Sequence, residues 1–224
     1  MNSTLKTRRI VESGLMIALS VILSMLKIFH LPWGGSITLC SMLPMILLSY
    51  RYGWKWGSFS ALIYAALQTV LGAVDGTFTM VALGAESGIY SSGIFVIPYW
   101  AAVVGIILLD YVLAFAVLGL GGCFKKGENG PKELLKGAVL ASCLRYVVHI
   151  LSGFLFFGTF ASWFFGEVGA FGEMMMGTFS GNLLFFLYSV IYNGCYMIPE
   201  IIITSAAAYL MAKYAPQMLK VKTK

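Results

Sequence analysis

Six long apolar stretches, separated by short clusters of charge, glycine and proline, leave this chain few ways to fold in water. They run approximately Ile10 to Phe29, Ser36 to Ser49, Trp56 to Val74, Pro98 to Gly121, Gly137 to Phe160 and Leu183 to Met211. A bilayer core about 30 Å thick is crossed by roughly 20 apolar helical residues. Within it, every backbone polar group must be satisfied internally, which a helix does by itself. Composition agrees: 59% of the 224 residues are hydrophobic and 11% charged, and mean hydropathy is +0.87. A soluble enzyme carries about 25% charged residues, disorder needs low hydrophobicity and a disulfide scaffold needs dense cysteine. All three classes are excluded. The predicted fold class is an all-α membrane protein, a six-transmembrane-helix bundle forming a single integral domain over residues 1–224.

The second stretch is short, about 14 residues or roughly 21 Å of helix, and crosses only with help from its flanks. The sixth carries Pro199, which removes one backbone donor and predicts a bend. The polar, basic segment before Ile10 is followed by no small-residue cleavage pattern, so the first stretch reads as a retained helix. Orientation follows from the basic residues. Of the 15 Lys and Arg, 13 fall at the N-terminus, around Arg51 and Lys55, between Lys125 and Lys136, or at the C-terminus. The alternate connections hold none, which predicts both termini on the cytoplasmic side and explains the net charge of +6 without nucleic acid. The outer segments following Asp75 and Ala161 are weakly polar and are expected to fold back as short interfacial or re-entrant helices. Cys40, Cys123, Cys143 and Cys195 lie singly, with no CxxC spacing, and read as small buried apolar residues.

Ionisable residues at membrane depth are costly and mark function. Asp110 lies in the fourth stretch, Arg145 and His149 in the fifth, Glu200 in the sixth, and Lys27 near the outer end of the first. Counted from the inner boundaries, Asp110 and His149 both stand roughly 18 Å up straight helices, so they share a depth. Arg145 precedes His149 by one turn on the same face. It either neutralises Asp110 or Glu200 as structural glue or serves a ligand. Tyr111 and Tyr146 adjoin this set, and Tyr188, Tyr192 and Tyr196 form one stripe with Asn193 on a neighbouring face. Trp33, in an outer connection, is a belt residue or a lid. Gly14 and Ala18 form a small-xxx-small pair that admits another helix, whether a partner's or one within the bundle. No GxSxG, HExxH or Walker loop is present, so this chain carries no assignable ATPase and no nucleophile or metal set for catalysis.

The stretches GGSITLCSMLPMILLSYRYG, LLDYVLAFAVLGLGGCF, LRYVVHILSGFLFFGTFA and YSVIYNGCYMIPE resemble the thiamine transporter family, the thiamine-specific S-component of energy-coupling-factor transporters. The resemblance implies a six-helix S-component in the bacterial cell membrane with a thiamine site opening outward. It further implies no cofactor, and as partners a transmembrane coupling subunit and two ATPase subunits that hydrolyse the ATP. Carried over by position, it assigns substrate binding to Asp110 and Tyr111 of a (D/E)Y motif, Arg145 and His149 of a KxxxH-like motif, and Tyr188 and Asn193 of YSxxxNG. Phe157 stands where some members have a binding tryptophan, and Trp33 near an outer-loop tryptophan. The thiazolium cation of thiamine suits aromatic faces, its aminopyrimidine suits Asp110, His149, Tyr188 and Asn193, and Arg145 is assigned to orienting Asp110 or the site. Gly14 and Ala18 are the expected docking face for the coupling subunit. Glu200 is not part of the family pattern. Two other classes fit the same composition: a solo vitamin transporter coupled to protons or sodium, and a membrane-embedded enzyme using Asp110 and His149 as acid and base.

Overall fold

The computed structural model describes residues 3–31, 34–74, 85–86, 88–125 and 130–221. Helix α1 spans Ser3–Met25, and a hairpin of β1 (Lys27–His30) and β2 (Ser36–Thr38) leads to α2 (Leu43–Tyr52) and α3 (Trp54–Val74). A three-stranded antiparallel sheet follows: β3 (Ala85–Glu86), β4 (Ile89–Ser91) and β5 (Val96–Pro98). Then come α4 (Tyr99–Gly122), α5 (Pro131–Phe156), two short helices α6 (Ala161–Glu167) and α7 (Gly169–Thr178), and the 34-residue α8 (Gly181–Tyr214). Four of these, α3, α4, α5 and α8, are long and apolar enough to cross a membrane. The protein is an all-α membrane protein in its architecture.

Several boundaries differ from the sequence reading. The first helix stops at Met25 and not Phe29, because Lys27–His30 pairs with Ser36–Thr38, drawing both segments out of the helices expected there. The chain turns through Gly34 and Gly35, both at positive φ, and Cys40 at φ 59°. That leaves α2 only 10 residues, about 15 Å, with Pro44 in its first turn where a missing N–H is tolerated. The fifth helix begins at Pro131 and ends at Phe156, earlier than Phe160, since Phe157 leaves helical geometry (φ −119°, ψ 16°). Pro199 lies inside an uninterrupted α8.

Of the two segments expected to fold back as short helices, the one from Ala161 does so, whereas Ala85–Glu86, Ile89–Ser91 and Val96–Pro98 form a sheet. Alternation decides this: Tyr90 points inward and is buried while Ile89 and Ser91 face out. The Tyr90 hydroxyl then donates to the Phe156 carbonyl, satisfying an acceptor left over in the last turn of α5. Cys123, Cys143 and Cys195 lie on the outer surface of the bundle and Cys40 is half-buried, against the expectation of burial. A lipid-facing surface is as apolar as a core, so a small apolar residue gains little by turning inward.

The basic loops meet at one end. Glu12 accepts from Arg8 (2.8 Å) and Arg51 (2.7 Å) and from the Tyr52 hydroxyl, tying α1 to the α2–α3 corner. The Lys125 ammonium, beyond α4, donates to the Arg51 carbonyl. Packing beside this end is tight because small residues allow it: Ser49 Oγ donates to the Gly119 carbonyl and accepts from the Gly122 N–H at 2.9 Å. A Cβ on Gly137 would overlap the Gly121 carbonyl, whose carbon lies 2.8 Å away. Gly137→Ala is therefore expected to destabilise the bundle by about 1–3 kcal/mol. Gly14→Ala, in the interior of α1 with nothing within 4 Å of the added carbon, should leave the bundle as stable or stabilise it by up to about 1 kcal/mol; thermal unfolding in detergent reads both.

Candidate functional site

A cavity of about 690 Å³ runs among α1, β1–β2, α3, α4, α5 and α8. Three helices supply its polar wall. Asp110 stands in a π-helical stretch of α4, Ile107–Leu113, where i→i+5 bonding widens the turn; such insertions recur at functional sites. The widened turn lets two successive residues serve the cavity. Asp110 reaches α5, while Tyr111 reaches toward Gly72 of α3, whose hydrogen side makes room for the phenol.

Both Asp110 oxygens are bonded within the protein. His149 Nδ1 lies 2.9 Å from Oδ1, and Ser152 Oγ donates to Oδ2 at 2.7 Å. Arg145 Nε donates to His149 Nε2 at 3.2 Å. Because a guanidinium only donates, Nε2 must accept, and the ring proton resides on Nδ1, directed at Asp110. The imidazole is thus held in one tautomer by a partner on each side. The Arg145 guanidinium carbon rests 4.4 Å from the Phe115 ring centroid, so Arg145 reaches Asp110 through His149 and pairs with neither carboxylate directly.

The α8 wall is aromatic. Tyr188, Tyr192 and Tyr196 line the cavity with Asn193, Met197 and Glu200. Asn193 Nδ2 donates to the Ser189 carbonyl (2.8 Å) and the His149 carbonyl (3.2 Å), and its Oδ1 accepts from Tyr196 Oη at 2.7 Å. With its donors committed, Asn193 fixes Tyr196, whose ring meets His149 edge-to-face at 5.9 Å. Close approach of α5 and α8 depends on Gly153, where a Cβ would collide with Ser189 Oγ and stand 2.9 Å from Asn193 Nδ2. Tyr188 and Tyr192 also pack on Phe164 of α6, with ring centroids 5.6 and 5.5 Å away.

The β1–β2 hairpin closes one side. Tyr192 Oη donates to the Gly34 carbonyl at 2.9 Å, and a Cβ on Gly35 would meet the Tyr196 ring at 2.6 Å. Lys27 and His30 of β1 line the cavity, as does Gln68 of α3, which donates to Ser24 Oγ and Tyr64 Oη, each at 2.7 Å.

Seven residues singled out from the sequence, Asp110, Tyr111, Arg145, His149, Phe157, Tyr188 and Asn193, therefore line one cavity. Trp33 lies outside the described residues. Gly14 and Ala18 do not line the cavity; they stand on an exposed face of α1 with Ile10, Leu15, Leu19 and Ile22. Ser152, Tyr196 and Phe115 were not singled out as site residues. Ser152 follows His149 by three residues and shares its face, a signal present in the spacing; the roles of Phe115 and Tyr196 depend on helix pairing.

An apolar helical bundle enclosing a polar, aromatic-walled cavity at depth is a membrane protein built to hold a small molecule. The thiamine transporter protein model (Thia_YuaJ) matches residues 10–86 and 88–164. The chain belongs to that family. A curated relative, thiamine transporter ThiT of Bacillus subtilis, is 29% identical over 98% of each chain. The solved structure of ThiT from Listeria monocytogenes has the same fold, with a TM-score of 0.64 at 18% identity, covering 96% of this chain and 99% of that one.

The His149 tautomer is directly measurable. In ¹⁵N spectra of labelled protein, His149 is expected to carry its proton on Nδ1, with Nε2 unprotonated. A proton on Nε2 in the parent protein would contradict the assigned bond from Arg145.

Proposed function

We propose that this chain is the thiamine-binding subunit, the S-component, of an energy-coupling-factor uptake system in the bacterial plasma membrane. It takes thiamine into the cavity from the outer face and releases it inward when coupled to a transmembrane subunit and two ATPases. The observation that carries this reading is the convergence of the family's motif residues, spread over three helices, on one cavity. Thiamine offers a permanently cationic thiazolium and an aminopyrimidine with donors and acceptors. The Tyr188–Tyr192–Tyr196 wall and Phe157 suit the cation, with cation–π attraction of about 2 kcal/mol once water is displaced.

Asp110, Tyr111 and Tyr188 are the groups for the aminopyrimidine. His149 and Arg145 hold the Asp110 carboxylate in place, and Asn193 holds Tyr196. The basic end of the bundle is the cytoplasmic side, with both termini there. The exposed small-residue face of α1 at Gly14 and Ala18 is the docking surface for the coupling subunit, because small residues let a partner helix approach closely.

Thiamine titration followed by tryptophan fluorescence tests the site. The parent should saturate at submicromolar thiamine, Asp110→Asn should bind about a hundredfold more weakly, and Asn193→Ala about tenfold more weakly. Unchanged binding in Asp110→Asn would overturn the assignment. Docking is tested separately in cells: Gly14→Leu should abolish ATP-dependent thiamine uptake and spare binding, whereas loss of binding would make that face internal packing.

A further inference from the structure

Glu200 ends the stretch YSVIYNGCYMIPE but is given no role by the family resemblance, yet α8 delivers it to the cavity. It follows Tyr196 by four residues and Asn193 by seven, so the three share one helix face, and all three line the cavity. The residue is 2% exposed. Its Oε1 accepts from Thr38 Oγ1 at 2.6 Å and also from the Thr38 N–H, which pins it to β2. Its Oε2 has no hydrogen-bond partner among the described residues.

The contrast with Asp110 is informative. Asp110 has both oxygens bonded, one of them to a histidine that is itself bonded to Arg145. Glu200 has no ion pair within 4 Å among the described residues. Of the Lys and Arg side chains lining the cavity, Arg145 is engaged with His149 and stacked on Phe115, and Lys27 of β1 forms no ion pair with Glu200 within 4 Å. A buried carboxylate in this condition is costly unless a positive charge arrives from elsewhere. Once the ligand has displaced water from the cavity, the attraction acts over several ångströms, so the cation need not touch the carboxylate.

We propose that Glu200 is the charge-selecting residue of the cavity: its carboxylate supplies the counter-charge for the cationic ring of the ligand and makes the site prefer an organic cation over a neutral molecule of the same shape. The inference rests on the thiamine reading and adds a residue and a selection rule to it. Thr38 is the positioning residue, holding one oxygen so that the charge stays at the cavity wall.

The test compares thiamine with 3-deazathiamine, in which a neutral thiophene replaces the thiazolium, by calorimetric titration of the full chain in detergent. Glu200→Gln keeps an amide oxygen for the two Thr38 donors and removes the charge. Its thiamine affinity should fall about tenfold or more while affinity for the neutral isostere stays within a factor of about three, so the cation preference collapses. Equal losses for both ligands would make Glu200 a structural support for β2, and no loss for either would remove it from the site; both results overturn the proposal. Failure of the parent chain to bind thiamine would instead overturn the thiamine reading itself. Should Glu200→Gln not be recovered folded, Glu200→Asp gives the second reading: retained charge predicts a retained preference ratio, and a lost ratio contradicts it.

Discussion

A carboxylate in the interior of an apolar bundle is costly unless its charge is shared, and the bonds around Asp110 organise the site. His149 and Ser152 occupy one oxygen each, and Arg145 backs His149 from one turn away. Charge-assisted hydrogen bonds of this kind are roughly twice as strong as neutral ones and shorter, so the chain locks α4 to α5. It also fixes which imidazole nitrogen is protonated. Every other wall of the cavity is set relative to this pair.

The second organising contact is between α5 and α8. Gly153 lets the helices approach, Ser189 Oγ donates to the Ile150 carbonyl at 2.7 Å, and Tyr146 Oη donates to the Val190 carbonyl at 2.7 Å. Side-chain hydrogen bonds to backbone carbonyls suit a membrane interior, where apolar packing alone gives helices little reason to associate. Once α8 is placed, its tyrosine face and Asn193 follow. The β1–β2 hairpin is then held against that face at Gly34, Gly35 and Thr38.

Much of this was legible in the sequence, because the bilayer imposes long apolar runs and makes each buried charge conspicuous. Asp110, Arg145 and His149 stand out for that reason, and counting from the basic loops puts Asp110 and His149 at one depth, where the structure bonds them. What stayed hidden depends on pairing between distant segments. The π-helical turn at Asp110 leaves no periodic signature across seven residues. The strand at Lys27–His30 reads as the end of an apolar helix until Ser36–Thr38 is laid beside it. Arg145 offered a choice between two carboxylates, and the local i, i+4 contact with His149 won. The β3–β4–β5 sheet was read as helix because its alternation extends over at most three residues per strand.

A structure of the chain with thiamine bound tests the central claim most directly. The predicted result is thiamine within the cavity, its aminopyrimidine within hydrogen-bonding distance of the Asp110 carboxylate and its thiazolium against the α8 tyrosines. Thiamine lying outside the cavity, or inside it without contact to α4 and α8, would contradict the assignment of these residues as the substrate site.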